Sequence, residues 1–191
     1  MSKWDSVADL VNFNLQISAN DLMAAVPFEA KILDFGCGYG RITKQISELG
    51  YSEVVGIDSS REMINRGLSE YPELDLRHLS TEALPFSDAE FDSIVLCAVL
   101  TCIPEQSTRC HVLSELRRVL KPQGVIYLAE FCSDRSLHFI SGAGVPMWHS
   151  SKTELEGLLR GFNIESSTLV DCSTMTGHQS EARHIIARKI I

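Results

Sequence analysis

Short apolar runs alternate with amphipathic helical stripes along most of this 191-residue chain. Apolar runs bounded by turn residues are typical of buried strands, whereas apolar residues at i, i+3 and i+4 are typical of helices with one buried face. Seven runs qualify as strands: residues 31–35, 54–57, 74–79, 91–100, 125–131, 164–170 and 182–190. Because single helices separate most of them, the pattern predicts an α/β, doubly wound fold around a mostly parallel sheet that is covered on both faces.

The first helical stripe precedes the first strand and predicts an amphipathic helix over residues 6–18. Its apolar positions are Val7, Leu10, Val11 and Leu15. The later stripes fall at residues 42–49, 63–71, 112–120 and 155–162. No repeat, low-complexity tract or Pro/Gly/Ser-rich linker divides the chain, which favours a single domain over residues 1–191.

Composition and charge argue against several kinds of protein. The 17 Lys and Arg residues against 25 Asp and Glu residues leave a formal charge of −8, which disfavours binding to nucleic acid or to an anionic membrane. The longest apolar run, Ile94–Leu100, is far shorter than the ~20 residues that span a bilayer, and the first residues lack the apolar core of a secretory signal. Six cysteines without a C-x-x-C spacing argue against a disulfide framework or a structural metal site. We therefore expect a cytoplasmic protein with reduced thiols and no metal.

A glycine-rich loop follows the first predicted strand. It reads D-F-G-C-G-Y-G-R over residues 34–41 and passes directly into a helical stripe. Glycines allow positive φ and a close approach of the backbone to a ligand, and the start of the helix presents unpaired N–H groups. Asp58 lies 18 residues beyond Gly40, at the end of the second predicted strand. A carboxylate there can accept hydrogen bonds from both hydroxyls of a ribose, so the two features predict a nucleoside site.

The spacing of the glycines separates two classes of nucleotide-binding protein. A dinucleotide site requires G-x-G-x-x-G/A, whereas this loop has G-x-G-x-G and places Arg41 where the third small residue is required. Asp34 adds a negative charge beside the loop, which disfavours a pyrophosphate and suits an amino group or another cation. The loop therefore favours a nucleoside that carries positive charge, and an NAD-dependent oxidoreductase is the less favoured alternative.

These features resemble motif I and the acidic motif of the class I S-adenosylmethionine-dependent methyltransferases, in particular the small methyltransferase-11 group. Two further blocks match the family in order and spacing. They are E-A-L-P-F at 82–86, followed by F-D-S-I-V at 91–95, and L-R-R-V-L-K-P-Q-G at 116–124. The resemblance implies a seven-stranded Rossmann-like sheet with an antiparallel C-terminal strand. It also implies an N-terminal helical cap, residues 1–30, over the cofactor, where Trp4 would shield the site.

The resemblance further implies how the cofactor S-adenosylmethionine, and its product S-adenosylhomocysteine, are bound. The loop at Gly36 and Gly38 would hold the methionine part, and Asp58 the ribose. The implied cofactor-binding residues are Asp34, Gly36, Cys37, Gly38, Asp58, Ser59, Met63, Ser80, Thr81, Glu82, Cys97 and Ala98. Two positions depart from the family pattern: Ser80 stands where many relatives carry an aspartate, and Gln123 stands at the third position of a Lys-Pro-Gly-Gly turn.

The expected function is methyl transfer to a small-molecule O, N or C nucleophile by direct displacement. A sulfonium already makes its methyl group electrophilic, so the protein needs no covalent catalyst, and the residues identify no general base. The predicted acceptor wall comprises Tyr39, Leu100–Ile103, Phe131–Trp148 and residues 173–181. His149 is the best histidine candidate for an acceptor contact, although a packing role is favoured. A non-catalytic module that binds S-adenosylmethionine is the other alternative.

Overall fold

The computed structural model describes residues 3–81 and 83–191. The strands are β1 (Lys31–Phe35), β2 (Glu53–Asp58), β3 (Asp75–His78), β4 (Phe91–Cys97), β5 (Leu120–Cys132), β6 (Leu137–Ile140), β7 (Pro146–His149), β8 (Phe162–Ser173) and β9 (Gln179–Lys189). The helices are α1 (Ala19–Ala25), α2 (Arg41–Glu48), α3 (Arg61–Glu70), α4 (Gln106–Val119) and α5 (Lys152–Leu158). Short 3-10 turns lie at Asp5–Val7 and Leu100–Cys102.

Seven of these strands form one sheet, in the order β3-β2-β1-β4-β5-β9-β8. Neighbouring strands among β1 to β5 are parallel, whereas β9 runs antiparallel to both β5 and β8. The predicted α/β, doubly wound fold with a mostly parallel seven-stranded sheet and an antiparallel C-terminal strand is thereby confirmed. The chain builds the sheet outward from β1 in both directions, with β2 and β3 on one side and β4 and β5 on the other, so the strand order reverses at β1. In open α/β sheets, ligands bind at the carboxyl ends of the strands at this kind of switch point.

Both faces of the sheet are buried. Successive residues of a strand point to opposite faces, and in β1 Ile32 packs in one apolar cluster while Leu33 packs in the other. In β5, Ile126 and Tyr127 divide between the same two clusters. Burial on both faces explains why these strands appear in the sequence as continuous apolar runs instead of alternating ones.

Helices α2 and α3 begin at the carboxyl ends of β1 and β2. Gly40 precedes α2 with φ of +84°, and a Cβ added there would lie 2.8 Å from Leu76 Cδ1. Ser60 caps α3, because its hydroxyl accepts a hydrogen bond from the Met63 N–H at 3.2 Å. Both helix starts therefore face the edge of the sheet where the ligand site is expected.

The predicted helix over residues 6–18 is wrong. The structure has a 3-10 turn at Asp5–Val7, and α1 begins only at Ala19. Between them, residues 11–18 form neither helix nor strand. The backbone of this segment is held by tyrosine hydroxyls, since Tyr39 accepts from the Phe13 N–H at 3.1 Å.

The burial pattern explains the error. Buried and exposed residues alternate along the segment: Val11, Leu15 and Ile17 are buried, and Asn12, Asn14 and Gln16 are exposed. This period of two is typical of extended chain. Leu10, which belongs to the helical stripe, is 77 % exposed. The apolar residues of this segment satisfy both periods, and contacts with the loop and the sheet select the extended one.

The hairpin of β6 and β7 was not predicted from the sequence. It forms a separate two-stranded sheet, and all four residues of β6 are exposed. A four-residue strand without a buried face leaves no periodic signal. The hairpin nevertheless matters for the site, because the segment that leads into β7 reaches the cavity described below.

Candidate cofactor site

The loop between β1 and α2 folds back onto the end of β2. The N–H groups of Gly36 and Cys37 both donate to the Ile57 carbonyl oxygen, at 2.8 and 3.0 Å. Gly36 and Gly38 have φ of +72° and +56°, in the left-handed region that favours glycine. A Cβ added to Gly38 would lie 3.1 Å from the ring of Phe13. The loop therefore brings bare backbone to the cavity, and a side chain at Gly38 would crowd the Phe13 ring.

Asp58 ends β2 and holds the glycine loop in place. Its Oδ2 accepts from the Gly38 N–H at 2.9 Å, and its Oδ1 accepts from the Ser60 N–H at 2.7 Å. Burial raises the pKa of Asp58, and the two backbone hydrogen bonds oppose that rise. A carboxylate has about four lone-pair sites, so both oxygens can accept further hydrogen bonds from a ligand.

Asp34 lies at the end of β1, beneath the same loop, and is 1 % exposed. The Thr43 hydroxyl donates to its Oδ2 at 2.6 Å. Burial raises the pKa of Asp34 to about 7, while the hydrogen bond from Thr43 and the charge of Arg41 act in the opposite direction. The carboxyl group is thus set to ionise near neutral pH, and a cation bound beside it would favour the charged form.

A cavity of about 430 Å³ lies along the carboxyl ends of β1, β2, β4 and β5. Nine of the residues predicted to bind the cofactor line it: Asp34, Gly36, Cys37, Gly38, Asp58, Ser59, Met63, Cys97 and Ala98. Ser80 and Thr81 follow β3 and are not part of the lining, whereas their neighbour Leu79 is. The Thr81 hydroxyl donates instead to the Ala83 carbonyl oxygen at 2.7 Å. Glu82 lies outside the described residues.

The central wall of the cavity follows the end of β4. Ala98 adopts φ of +57°, a conformation that costs a non-glycine residue about 1 kcal/mol or more. The chain then enters the 3-10 turn Leu100–Cys102. Three consecutive N–H groups, of residues 99–101, donate to the buried Glu130 carboxylate, each at 2.9 Å. These bonds hold the turn, so that Cys97 and Ala98 present a fixed edge to the cavity.

The N-terminal segment closes one side of the cavity. Its lining residues are Lys3, Trp4, Phe13, Asn14 and Leu15. The ring of Phe13 stacks on Tyr39, with centroids 5.6 Å apart and an interplanar angle of 9°. The guanidinium of Arg66 lies 3.9 Å from the centre of the Tyr39 ring and donates to the Val11 carbonyl oxygen at 2.7 Å. Sequence analysis placed Trp4 here but missed Phe13, Asn14 and Leu15, because it assigned their segment to a helix.

Only some of the residues predicted for the acceptor wall line the cavity. From the predicted ranges, the lining includes Cys102, Ile103, Phe131, Val145, Pro146, Met147 and Met175. Tyr39 and Trp148 do not line the cavity: Tyr39 lies behind Phe13, and Trp148 lies 3.5 Å from the Arg109 guanidinium. Pro104 and Glu105, which sequence analysis did not single out, also line it.

His149 packs behind this wall. Its ring stacks on Phe131, with centroids 5.3 Å apart and an interplanar angle of 12°. Burial lowers the pKa of His149, so the neutral imidazole is favoured. It does not line the cavity. His149 therefore supports Phe131, which does reach the cavity.

Within residues 3–81 and 83–191, no three His, Cys, Asp or Glu side chains are grouped closely enough to hold a metal ion. None of the helices in this part of the chain is both long and apolar enough to cross a bilayer.

Comparison with known proteins connects this geometry to a family. A model of the methyltransferase-11 family, described as a methyltransferase domain, matches residues 33–128, half of the chain. The matched stretch contains the glycine loop, Asp58 and the β4 wall. The chain belongs to the class I S-adenosylmethionine-dependent methyltransferases. The resemblance found in the sequence is confirmed.

Individual relatives agree with this assignment. A demethylmenaquinone methyltransferase of Lysinibacillus sphaericus is 33 % identical over 135 residues, which are 66 % of this chain and 56 % of the relative. The chain thus spans about half the length of the curated relatives that it matches.

Solved structures resemble the whole fold. A crystal structure described as an S-adenosylmethionine-dependent methyltransferase from Methanosarcina mazei is 26 % identical, covers 93 % of this chain and 100 % of that chain, and has a TM-score of 0.84. The 1,6-didemethyltoxoflavin-N1-methyltransferase of Burkholderia thailandensis, solved with S-adenosylhomocysteine, is 23 % identical. It covers 91 % of this chain and 76 % of that chain with a TM-score of 0.72, and so supports the fold.

Proposed function

We propose that this protein transfers a methyl group from S-adenosylmethionine to a small-molecule nucleophile by direct displacement. One observation carries the proposal: the Gly38 N–H donates to the Asp58 carboxylate at 2.9 Å where both residues line the cavity. The carboxyl group of Asp34 lines the same cavity. The carboxyl groups of Asp34 and Asp58 beside the glycine loop suit a cationic nucleoside and disfavour a pyrophosphate.

The residues at the carboxyl edge of the sheet fit this cofactor, which supplies a methyl group on a sulfonium when it is bound. Asp58 has lone pairs for the ribose hydroxyls, and Asp34 can face the amino group of the methionine part. Cys97 and Ala98 form the edge beneath that part. Ser59, Met63 and Leu79 line the wall that remains for the adenine. Contacts of Ser80, Thr81 and Glu82 with the adenine stay predictions.

Catalysis in this proposal depends on alignment and exclusion of water. The described residues that line the cavity include no histidine, and burial raises the pKa of the thiols of Cys37, Cys97 and Cys102. We therefore assign no general base. Holding the nucleophile in line with the methyl group can contribute ~7–11 kcal/mol. The aromatic and aliphatic side chains of the acceptor wall exclude water from the reacting groups.

We further propose a small-molecule acceptor and a cytoplasmic location. Relatives carry the names demethylmenaquinone methyltransferase and trans-aconitate 2-methyltransferase, which supports an acceptor of low molecular weight. The formal charge of −8 disfavours nucleic acid. The six cysteines, all in the described part of the chain, are free thiols, as is typical of a reducing compartment.

Two measurements on the purified chain test the function. Titration calorimetry is expected to show binding of S-adenosylhomocysteine and none of NAD. Incubation with methyl-labelled S-adenosylmethionine and a protein-free metabolite extract, supplemented with trans-aconitate and a short-chain demethylmenaquinone, is expected to yield a labelled small molecule. Gly38→Val serves as the negative control. Failure to bind S-adenosylhomocysteine at millimolar concentration overturns the proposal, whereas binding without any labelled product favours the non-catalytic module.

A further inference from the structure

The proposed function leaves open what Arg41, at the end of the glycine loop, does in the site. It is the first residue of α2, directly after Gly40, and its side chain lines the cavity. Its Nη2 donates to the Leu15 carbonyl oxygen. Its Nε and Nη1 are both buried and have no hydrogen-bond partner among the described residues. An arginine is always charged and has five N–H donors, so buried donors without acceptors are costly.

Nε and Nη1 of Arg41 have no hydrogen-bond acceptor among the described neighbouring side chains, although the Arg41 side chain interacts with the Cys97 thiol and opposes the rise in the pKa of that thiol. The Asp34 carboxyl group accepts from Thr43 and is protonated in a large fraction of molecules at neutral pH, since burial raises its pKa to about 7. The thiol of Cys97 is uncharged, because burial raises its pKa to about 12. Lys3 is the other cation among the described lining residues, and it is exposed. Arg41 is therefore the partly buried cation of the cavity wall, and its buried Nε and Nη1 are open donors.

Asp34 and Arg41 both line the cavity, and they lie close enough for the charge of Arg41 to favour the ionised form of the Asp34 carboxyl group. An α-amino acid is a zwitterion, with an ammonium group and a carboxylate on one carbon. A carboxyl group that ionises beside an ammonium, next to a guanidinium with free donors, is complementary to it. Within the proposed function, the methionine part of the cofactor is the zwitterion available to this pair.

We infer that Arg41 binds the α-carboxylate of the cofactor, and that it thereby selects nucleosides that carry an amino-acid tail. The inference rests on the proposed function. It assigns the open Nε and Nη1 donors to an acceptor that the chain itself lacks. Charge-assisted hydrogen bonds of this kind are about twice as strong as neutral ones. Removal of Arg41 should therefore lower the affinity for S-adenosylhomocysteine, which has the amino-acid tail, about 10- to 100-fold.

Two ligands separate this role from a structural one. S-adenosylhomocysteine has the amino-acid tail, whereas 5′-methylthioadenosine has the nucleoside and the sulfur without it. In calorimetry, Arg41→Met is expected to lower the affinity for S-adenosylhomocysteine at least tenfold. Its affinity for 5′-methylthioadenosine is expected to stay within about threefold of the wild type. Arg41→Lys, which keeps the charge, is expected to recover part of the loss.

Arg66→Met provides the matched control. Arg66 also holds the N-terminal segment, through the Ala8 and Val11 carbonyl oxygens, but it does not line the cavity. Its loss should change the affinities for both ligands by the same factor. Equal weakening of both ligands by Arg41→Met, or no weakening of either, overturns the inference and leaves the proposed function intact. If Arg41→Met does not fold, the affinities of Arg41→Lys for the same two ligands are compared. A loss for S-adenosylhomocysteine but not for 5′-methylthioadenosine then supports the inference, and an equal change for both ligands overturns it. If the wild-type protein does not bind S-adenosylhomocysteine, both the function and the inference fail.

Discussion

The two ends of the cavity are built in different ways. The cofactor end consists of the loop after β1 and the end of β2, so that Asp34, Gly38 and Asp58 come from 25 consecutive residues. The proposed acceptor end gathers single side chains from distant parts of the chain, among them Ile103, Phe131, Met147 and Met175. The first end uses backbone groups and carboxylates, whereas the second uses the apolar surface of large side chains.

This difference indicates which end tolerates change. Backbone at positive φ, held by hydrogen bonds between neighbouring loops, can be altered only at the cost of the loop itself. Side chains on separate connecting segments can change one by one without moving the sheet. A family can therefore keep one cofactor site and vary the acceptor, and variants at the two ends should differ in their effects.

The largest effect is expected from Gly38→Val. Valine is strained at φ of +56°, and its Cβ would lie 3.1 Å from the Phe13 ring, so the loop or the ring must shift at the cavity wall. We expect the affinity for S-adenosylhomocysteine to fall at least about 100-fold in calorimetry. Gly157→Val in α5, where no atom lies within 4 Å of an added Cβ, is the matched control and should bind normally. Normal binding by Gly38→Val would show that this loop does not approach a ligand.

Asp58→Ala should lower the affinity for S-adenosylhomocysteine more than about tenfold, because it removes charge-assisted hydrogen bonds to the ligand. It also removes the acceptor of the Gly38 N–H. Asp58→Asn keeps one acceptor oxygen and should fall between the wild type and the alanine variant. Unchanged affinity in Asp58→Ala would exclude Asp58 from the site.

Asp34 should make cofactor binding depend on pH. Its pKa in the free protein is about 7, and a bound ammonium group lowers that pKa, so binding releases a proton below neutrality. The affinity for S-adenosylhomocysteine should therefore rise roughly tenfold from pH 5.5 to 7.5. Calorimetry across this range should show the rise in the wild type and a nearly flat profile in Asp34→Asn. A rise of equal size in both proteins would assign the titration to another group.

The smallest effect on cofactor binding is expected at the acceptor end. Met147→Ala and Met175→Ala should keep the affinity for S-adenosylhomocysteine within about twofold, since neither residue belongs to the loops after β1 and β2. Both should raise the KM for the acceptor found in the labelling experiment, because they remove apolar contact surface. A tenfold loss of cofactor affinity in either variant would remove the distinction between the two ends.

Local signals account for what could be predicted. The strand β1, the glycines after it and Asp58 lie close together in the sequence, and each has a physical requirement that a short motif expresses. The same holds for β4 and β5, whose burial on both faces produces continuous apolar runs. Cys97 and Ala98 could be placed at the cavity because β4 ends there, although the φ of +57° at Ala98 has no signal in the sequence.

Non-local contacts account for what could not. The segment from Val11 to Ile17 carries apolar residues that suit a helix and an extended chain alike, and the Tyr39 hydroxyl on the glycine loop helps to hold the extended form. The positions of Ser80 and Thr81 outside the cavity lining depend on how the chain leaves β3. His149 lies in a segment that reaches the site, yet stacking on Phe131 turns it into a packing residue.

The sequence by itself determined the sheet and the cofactor end, because strand burial and left-handed glycines are demands of single short segments on their own residues. Only the tertiary structure decided the acceptor end and the state of Arg41. Which side chains meet across the cavity depends on segments more than a hundred residues apart in the chain. Which donors of the Arg41 guanidinium stay without an acceptor depends on how the N-terminal segment and the end of β4 pack against it. No local pattern encodes an unfilled hydrogen bond, since it exists only after the rest of the fold has closed around it.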